Sequence, residues 1–204
     1  MLKILKNIRN SFFLFAILLS AFSDLEAKNS KDVSNTEVKR KTISHKKKYS
    51  LTLANSKDGH PVRSGKKSYR FEVRLGDCGK DSGHDDCKKD RQRTELQFKK
   101  HQMGKKDHWY SASIYLPEDY QSVAPVRTTF AQLYEKGWKP ILMITDRSGE
   151  WLEVGRMWSG EYVEMKKAIR INDMRGKWTD VLINARYSRA ENGFMKVWIN
   201  NKLI

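Results

Sequence analysis

From residue 51 onward, apolar and polar residues alternate with a period of two. Tyr69, Phe71, Val73 and Leu75 alternate with Arg70, Glu72 and Arg74, and Thr94, Leu96 and Phe98 with Arg93, Glu95 and Gln97. Successive side chains of a strand point to opposite faces, so such runs predict half-buried strands. WYSASIYLP from Trp109, ended by Pro117, reads the same way, as do Arg127–Tyr134, ILMITD, Trp151–Val154, TDVLINARYS and Phe194–Asn200. Gly, Asn, Asp or Pro bounds each run. A short helix or turn is expected at Pro117–Ala124, and 161–173 fits neither period. Strand–helix–strand alternation and Gly-rich phosphate loops are missing. The layout predicts an all-β, antiparallel β-sandwich or jelly roll over 51–204, closed by packing two apolar inner faces.

The outward positions carry candidate chemistry. Arg70, Glu72 and Arg74 share one outward face, Arg93, Glu95 and Gln97 a second, Phe130, Gln132 and Tyr134 a third, and Lys196, Trp198 and Asn200 a fourth. Asn184 and Arg186 lie opposite Ile183 and Ala185. On one concave sheet these residues would offer cations, amides and aromatic platforms. Arg grips a carboxylate or sulfate with two parallel hydrogen bonds, and an aromatic ring stacks on the apolar side of a sugar. That mixture suits an acidic sugar chain. The alternative is that Arg93 and Glu95 simply pair across a solvated sheet. Trp198 is a candidate stacking residue and Trp158, in GRMWSGEY, a candidate subsite wall. Trp109 and Trp178 begin strands and read as structural anchors.

Composition adds a field and a compartment. Lys and Arg number 40 against 24 Asp and Glu, a formal charge of +16, which attracts polyanions. Lys3, Lys6 and Arg9 precede the apolar run Phe12–Phe22, too short for a membrane span of about 20 residues. Residues 1–27 therefore read as a signal peptide, with no stable membrane anchor, and the protein as secreted or periplasmic. Residues 28–50 read as a basic flexible leader. Cys78 and Cys87 bracket a Gly- and Asp-rich loop, and in an oxidising compartment a disulfide is the expected pairing. His84, Asp85 and Asp86 in that loop offer a rival calcium site. Otherwise no cofactor or metal is expected, and the protein is expected to be a monomer. The secretory start opposes a nucleic-acid partner, and no nucleic-acid-binding motif is present.

The segments YRFEVRLGDC, DRQRTELQ, HWYSASIYLPEDY, TTFAQLY, KWTDVLINARYS and GFMKVWINNKLI, in this order, resemble the heparin-lyase-I-like polysaccharide lyases, relatives of the jelly-roll glucuronan and alginate lyases. The resemblance implies a concanavalin-like β-jelly roll and β-elimination at a 1,4-linked uronate. In that reaction a neutralising group offsets the charge growing on the carboxylate. A base takes the C5 proton and an acid protonates the leaving O4. It implies Gln132 as neutraliser, with Tyr134 standing where the family's Gln–x–His strand has histidine, and Arg93 and Arg74 holding the uronate. His60, just before the Arg–Glu strand, is a further catalytic candidate, since an early histidine reaches the site in some jelly-roll lyases. Glu95, Gln97, Arg186, Lys196, Trp198 and Trp158 are the remaining substrate-binding candidates. Family members continue past the strand like GFMKVWINNKLI, so the domain is expected to lack its last strand. A non-catalytic, lectin-like module binding acidic polysaccharide is the competing reading.

Overall fold

The computed structural model describes residues 38–43, 47–81, 84–98, 107–134, 139–188 and 190–204. The expected signal peptide and the leader as far as residue 37 lie outside them, as do His45, His101 and Trp138. No helix among the described residues is long and apolar enough to cross a membrane. The chain forms two compact units, residues 1–100 and 101–204.

In the first unit β1 (Val38–Ile43) pairs antiparallel with β6 (Thr94–Phe98), and β2 (Leu51–Asn55) with β3 (Lys67–Phe71). A two-residue pair joins β4 (Lys80–Asp81) to β5 (His84–Asp85). Part of the segment read as a flexible leader is therefore a strand. β6 supplies it with a ladder of backbone partners, from Ile43↔Thr94 to Val38↔Phe98. The alternation that predicted a strand through Leu75 stops at Phe71. Asp77 is the cause: its Oδ2 accepts from the Arg74 backbone N–H at 2.6 Å, and its own N–H donates to the Arg74 carbonyl at 2.9 Å. The turn between them places Gly76 at φ 86°, a conformation that favours glycine, and leaves Leu75 99% exposed.

The second unit holds two antiparallel four-stranded sheets. One has the order β11 (Glu161–Arg170), β10 (Trp151–Trp158), β9 (Pro140–Asp146), β8 (Thr128–Tyr134). The other runs β14 (Lys202–Leu203), β13 (Phe194–Ile199), β12 (Lys177–Arg186), β7 (His108–Leu116). Leu142, Ile144, Leu152 and Val154 of the first sheet and Val181, Ile183, Val197 and Ile199 of the second meet in one core with Ile171 and Met174. The last two come from α1 (Ile171–Met174), which with β11 accounts for the segment of unclear period. Pro117–Ala124 is a turn and loop, not a helix; Tyr120 N–H donates to the Pro117 carbonyl at 3.0 Å. The Tyr120 hydroxyl donates to buried Asp146 at 3.0 Å, and burial pushes its phenol up to about 12.

β8 carries a bulge. Thr129 pairs with Thr145 and Ala131 with Ile144, leaving Phe130 as the extra residue. Phe130 accordingly packs on the core beside Tyr120, with ring centroids 6.2 Å apart, as do Ala131 and Leu133. The expected outward stripe of Phe130, Gln132 and Tyr134 thus loses its first member.

Candidate functional site

Gln132 pairs with Met143, Met143 with Gly155, and Gly155 with Met165, so these residues share the face of their sheet turned away from the core. The adjoining row is Thr129, Thr145, Glu153 and Lys167. Tyr162 lies flat across this face. A Cβ on Gly155 would lie 2.3 Å from Cε1 and 2.7 Å from Cδ1 of Tyr162, so glycine leaves room for the phenol. The Tyr162 hydroxyl contacts Met143 Sδ at 3.7 Å and accepts from Arg127 Nη1 at 3.0 Å. The Arg147 guanidinium stands 5.3 Å from the ring centroid. Glu153 is 8% exposed, and its buried Oε2 has no hydrogen-bond partner among the described residues. Tyr134 closes β8, 38% exposed, where the register slips to Pro140. An amide, a buried carboxylate, phenols and two guanidinium groups thus meet on one sheet face or its rim.

The expected cations Arg74 and Arg93 belong to the first unit and already have partners. Arg93 Nη2 donates to Asp86 Oδ1 at 2.6 Å, and Nη1 lies 3.5 Å from Glu95 Oε2. Burial works against the Arg93 charge, but these two carboxylates outweigh it and hold the guanidinium above its ordinary range. Arg74 donates to Glu72 at 2.6 Å and lies 3.8 Å over the Tyr49 ring, while Arg70 also pairs with Glu72. The Arg74 hydrogen bond, aided by Arg70, lowers the Glu72 carboxyl. His60 is exposed in the loop before β3, and Gln97 is half-buried on β6 opposite Arg40. The Cys78–Cys87 disulfide is present. Beside it Asp86 is fully buried and engaged by Arg93, and no group of three or more metal-ligating side chains converges among the described residues.

Arg186, Lys196 and Trp198 do come together, but on the outer face of the β7–β12–β13–β14 sheet. That face points away from the core on the side opposite Gln132. The single surface expected from the outward stripes is therefore at least two surfaces. Trp109, expected to anchor the fold, joins this second one and is 61% exposed. Trp158 sits exposed at the end of β10, paired with Glu161. His108 packs between Tyr110 and Tyr187, with ring centroids 6.4 and 5.7 Å away. Burial, then a hydrogen bond shared with Tyr110, pushes the Tyr187 phenol far up, which suits it poorly to act as a base. A hollow of about 70 Å³ beside Arg156, Glu164 and Ile204 is too small for a sugar ring, since ligand pockets run to about 300 Å³ or more.

Sequence reasoning missed Arg127, Arg147, Glu153 and Tyr162. The polar run EYVEMKKAIR has no apolar period, so only the register of β11 reveals which of its residues face Gln132. No curated protein and no solved structure matches the chain. A family model described as polysaccharide lyase matches residues 33–204, reaching back through β1 and including the second unit and most of the first. The chain belongs to the polysaccharide lyase family.

Proposed function

We propose that the protein is a jelly-roll lyase that cleaves a 1,4-linked uronate polysaccharide by β-elimination outside the cytoplasm. The observation that carries this reading is the position of Gln132: in a chain of this family it faces away from the core, on a sheet face shared with Tyr162 and its Arg127 partner. Gln132 donates its amide hydrogens to the substrate carboxylate, where charge grows as C5 loses its proton. Tyr134, as phenolate, takes that proton. The C5–H electrons form the C4–C5 double bond, the C4–O4 bond breaks, and the proton passes to O4 without consuming water. Arg127 and Arg147 supply positive charge on this face. The disulfide supports an oxidising compartment.

The test is release of unsaturated product, read by ultraviolet absorbance, from heparin, alginate and glucuronan. Gln132→Ala should lower turnover by roughly 100-fold with little change in affinity, because its contact strengthens only in the transition state. Tyr134→Phe should abolish product. If it does not and Tyr162→Phe does, Tyr162 is the proton carrier. If the wild type binds these polymers and releases no unsaturated product, the protein is a binding module.

A further inference from the structure

The outer face of the β7–β12–β13–β14 sheet is laid out in rows. Trp109, Asn184 and Lys196 form one, and Ser111, Leu182, Trp198 and Leu203 the next. Trp109 and Trp198 reach diagonally across β12 and stack, with centroids 5.9 Å apart and planes 20° from parallel. Beneath them Asn184 is buried, its Nδ2 donating to the His108 carbonyl at 3.3 Å. At one end Arg186 and Lys196 flank Phe194, at 5.4 and 5.5 Å from its centroid. At the other, Ser113 donates to Asp180 at 2.7 Å.

Most of a tryptophan left in water forgoes about 2 kcal/mol or more of burial, and an exposed apolar patch on a folded protein marks an interaction site. Three features identify the occupant. The paired indoles, with Trp109 61% exposed, offer aromatic surface to the apolar, hydrogen-bearing face of a pyranose. Hydroxyl and amide groups border that surface, as a sugar's hydroxyls require. The outward strand positions carry Lys196, Arg186, which is paired with Asp107 at 2.7 Å, and one carboxylate, Asp180, so Lys196 is the cation placed to meet a carboxylated or sulfated sugar.

We infer that this face is a second polysaccharide-binding platform, separate from the Gln132 face, on which Trp109 and Trp198 stack against sugar rings while Lys196 meets an acidic group. The inference rests on the proposed polysaccharide substrate but not on catalysis. It gives the protein a hold on long chains that does not pass through its reacting groups.

The experiment compares wild type, Trp109→Ala/Trp198→Ala, Lys196→Glu and, as an exposed apolar control, Leu75→Ala. Affinity electrophoresis in heparin, alginate and glucuronan is run beside turnover of short uronate oligosaccharides. The double variant should lose about tenfold in polymer affinity, equivalent to about 1.4 kcal/mol, with oligosaccharide turnover unchanged. Lys196→Glu should lose affinity for the acidic polymers and not for a neutral dextran, and Leu75→Ala should behave as wild type. Undiminished polymer affinity in both platform variants overturns the proposal while leaving the lyase reading intact. Concentration-dependent dimerisation of the wild type that the double variant abolishes, without a change in polymer affinity, makes the face a self-association surface and also overturns it. Loss of affinity in a protein that makes no unsaturated product upholds the platform and removes the lyase reading. A wild type that binds none of these polymers removes both.

Discussion

Arg93→Ala should damage the first unit before it damages any ligand contact. Asp86 is 0% exposed, and among the described residues its carboxylate has one partner, the Arg93 guanidinium at 2.6 Å. Oδ2 of the same carboxylate has none. Removing Arg93 strands a buried negative charge, a change that costs about 3–5 kcal/mol in a fully buried pair. The Arg93 side chain is 18% exposed, so water screens part of the interaction, and about 2–4 kcal/mol is expected. In a unit of this size that lowers the midpoint of thermal unfolding by roughly 10–20 °C. Backbone bonds around Asp86 should open with it, including Arg91 N–H to the Asp86 carbonyl at 2.9 Å, so hydrogen exchange there should quicken. A cycle with Asp86→Asn isolates the pair, because Arg93→Ala should cost much less once the charge is gone. An Arg93→Ala protein that unfolds like wild type yet no longer binds uronate polymer would refute this reasoning. It would restore Arg93 as a ligand-binding cation.

Four further outcomes are expected. Gly155→Ala should expel Tyr162 from the sheet face and break its bond to Arg127, changing tyrosine fluorescence and lowering turnover; an unchanged spectrum and rate would remove Tyr162 from the site. The folded-state phenol of Tyr120 is raised from 10.0 to about 12, so its contribution to stability is complete below pH 10 and is lost as pH climbs toward 12; Tyr120→Phe should abolish that loss. Glu72 is lowered from 4.5, so its contribution is present above that pH and disappears as pH falls below it; Glu72→Gln should flatten this acid limb, and identical limbs would contradict the assignment. Reducing Cys78–Cys87 should cost about 2–3 kcal/mol, from the entropy of so short a closed loop, and thiols alkylated without prior reduction would show that the bond does not form in secreted protein.

The strands of the second unit were legible because Leu142, Ile144, Val181, Ile183, Val197 and Ile199 are both periodic and buried, so pattern and packing coincide. Where a side chain competes with the ladder, the pattern misleads. Val73 and Leu75 keep the period of a strand, yet the Asp77 carboxylate takes the Arg74 N–H and turns the chain instead. At Phe130 one extra residue in β8 reverses the parity of every position before it, and nothing in RTTFAQLY announces the insertion.

The candidate site was legible at Gln132, through family resemblance, and illegible at its neighbours for a different reason. Period two assigns a side chain to one face of its own strand and says nothing about which strands adjoin. Lys196 and Trp198 alternate as cleanly as Gln132 and Tyr134, yet β13 joins β12 and β8 joins β9, and their outward faces look away from each other. Arg127 and Arg147 lie just beyond strand ends, where no alternation exists to be read, and Tyr162 depends on a glycine on the next strand. The same chemistry of cations and aromatic rings that suggested one groove is thus divided between a face with an amide and phenols and a face with stacked indoles. If the first face carries the proposed elimination and the second the proposed platform, reaction and retention of a long polymer become separable by mutation.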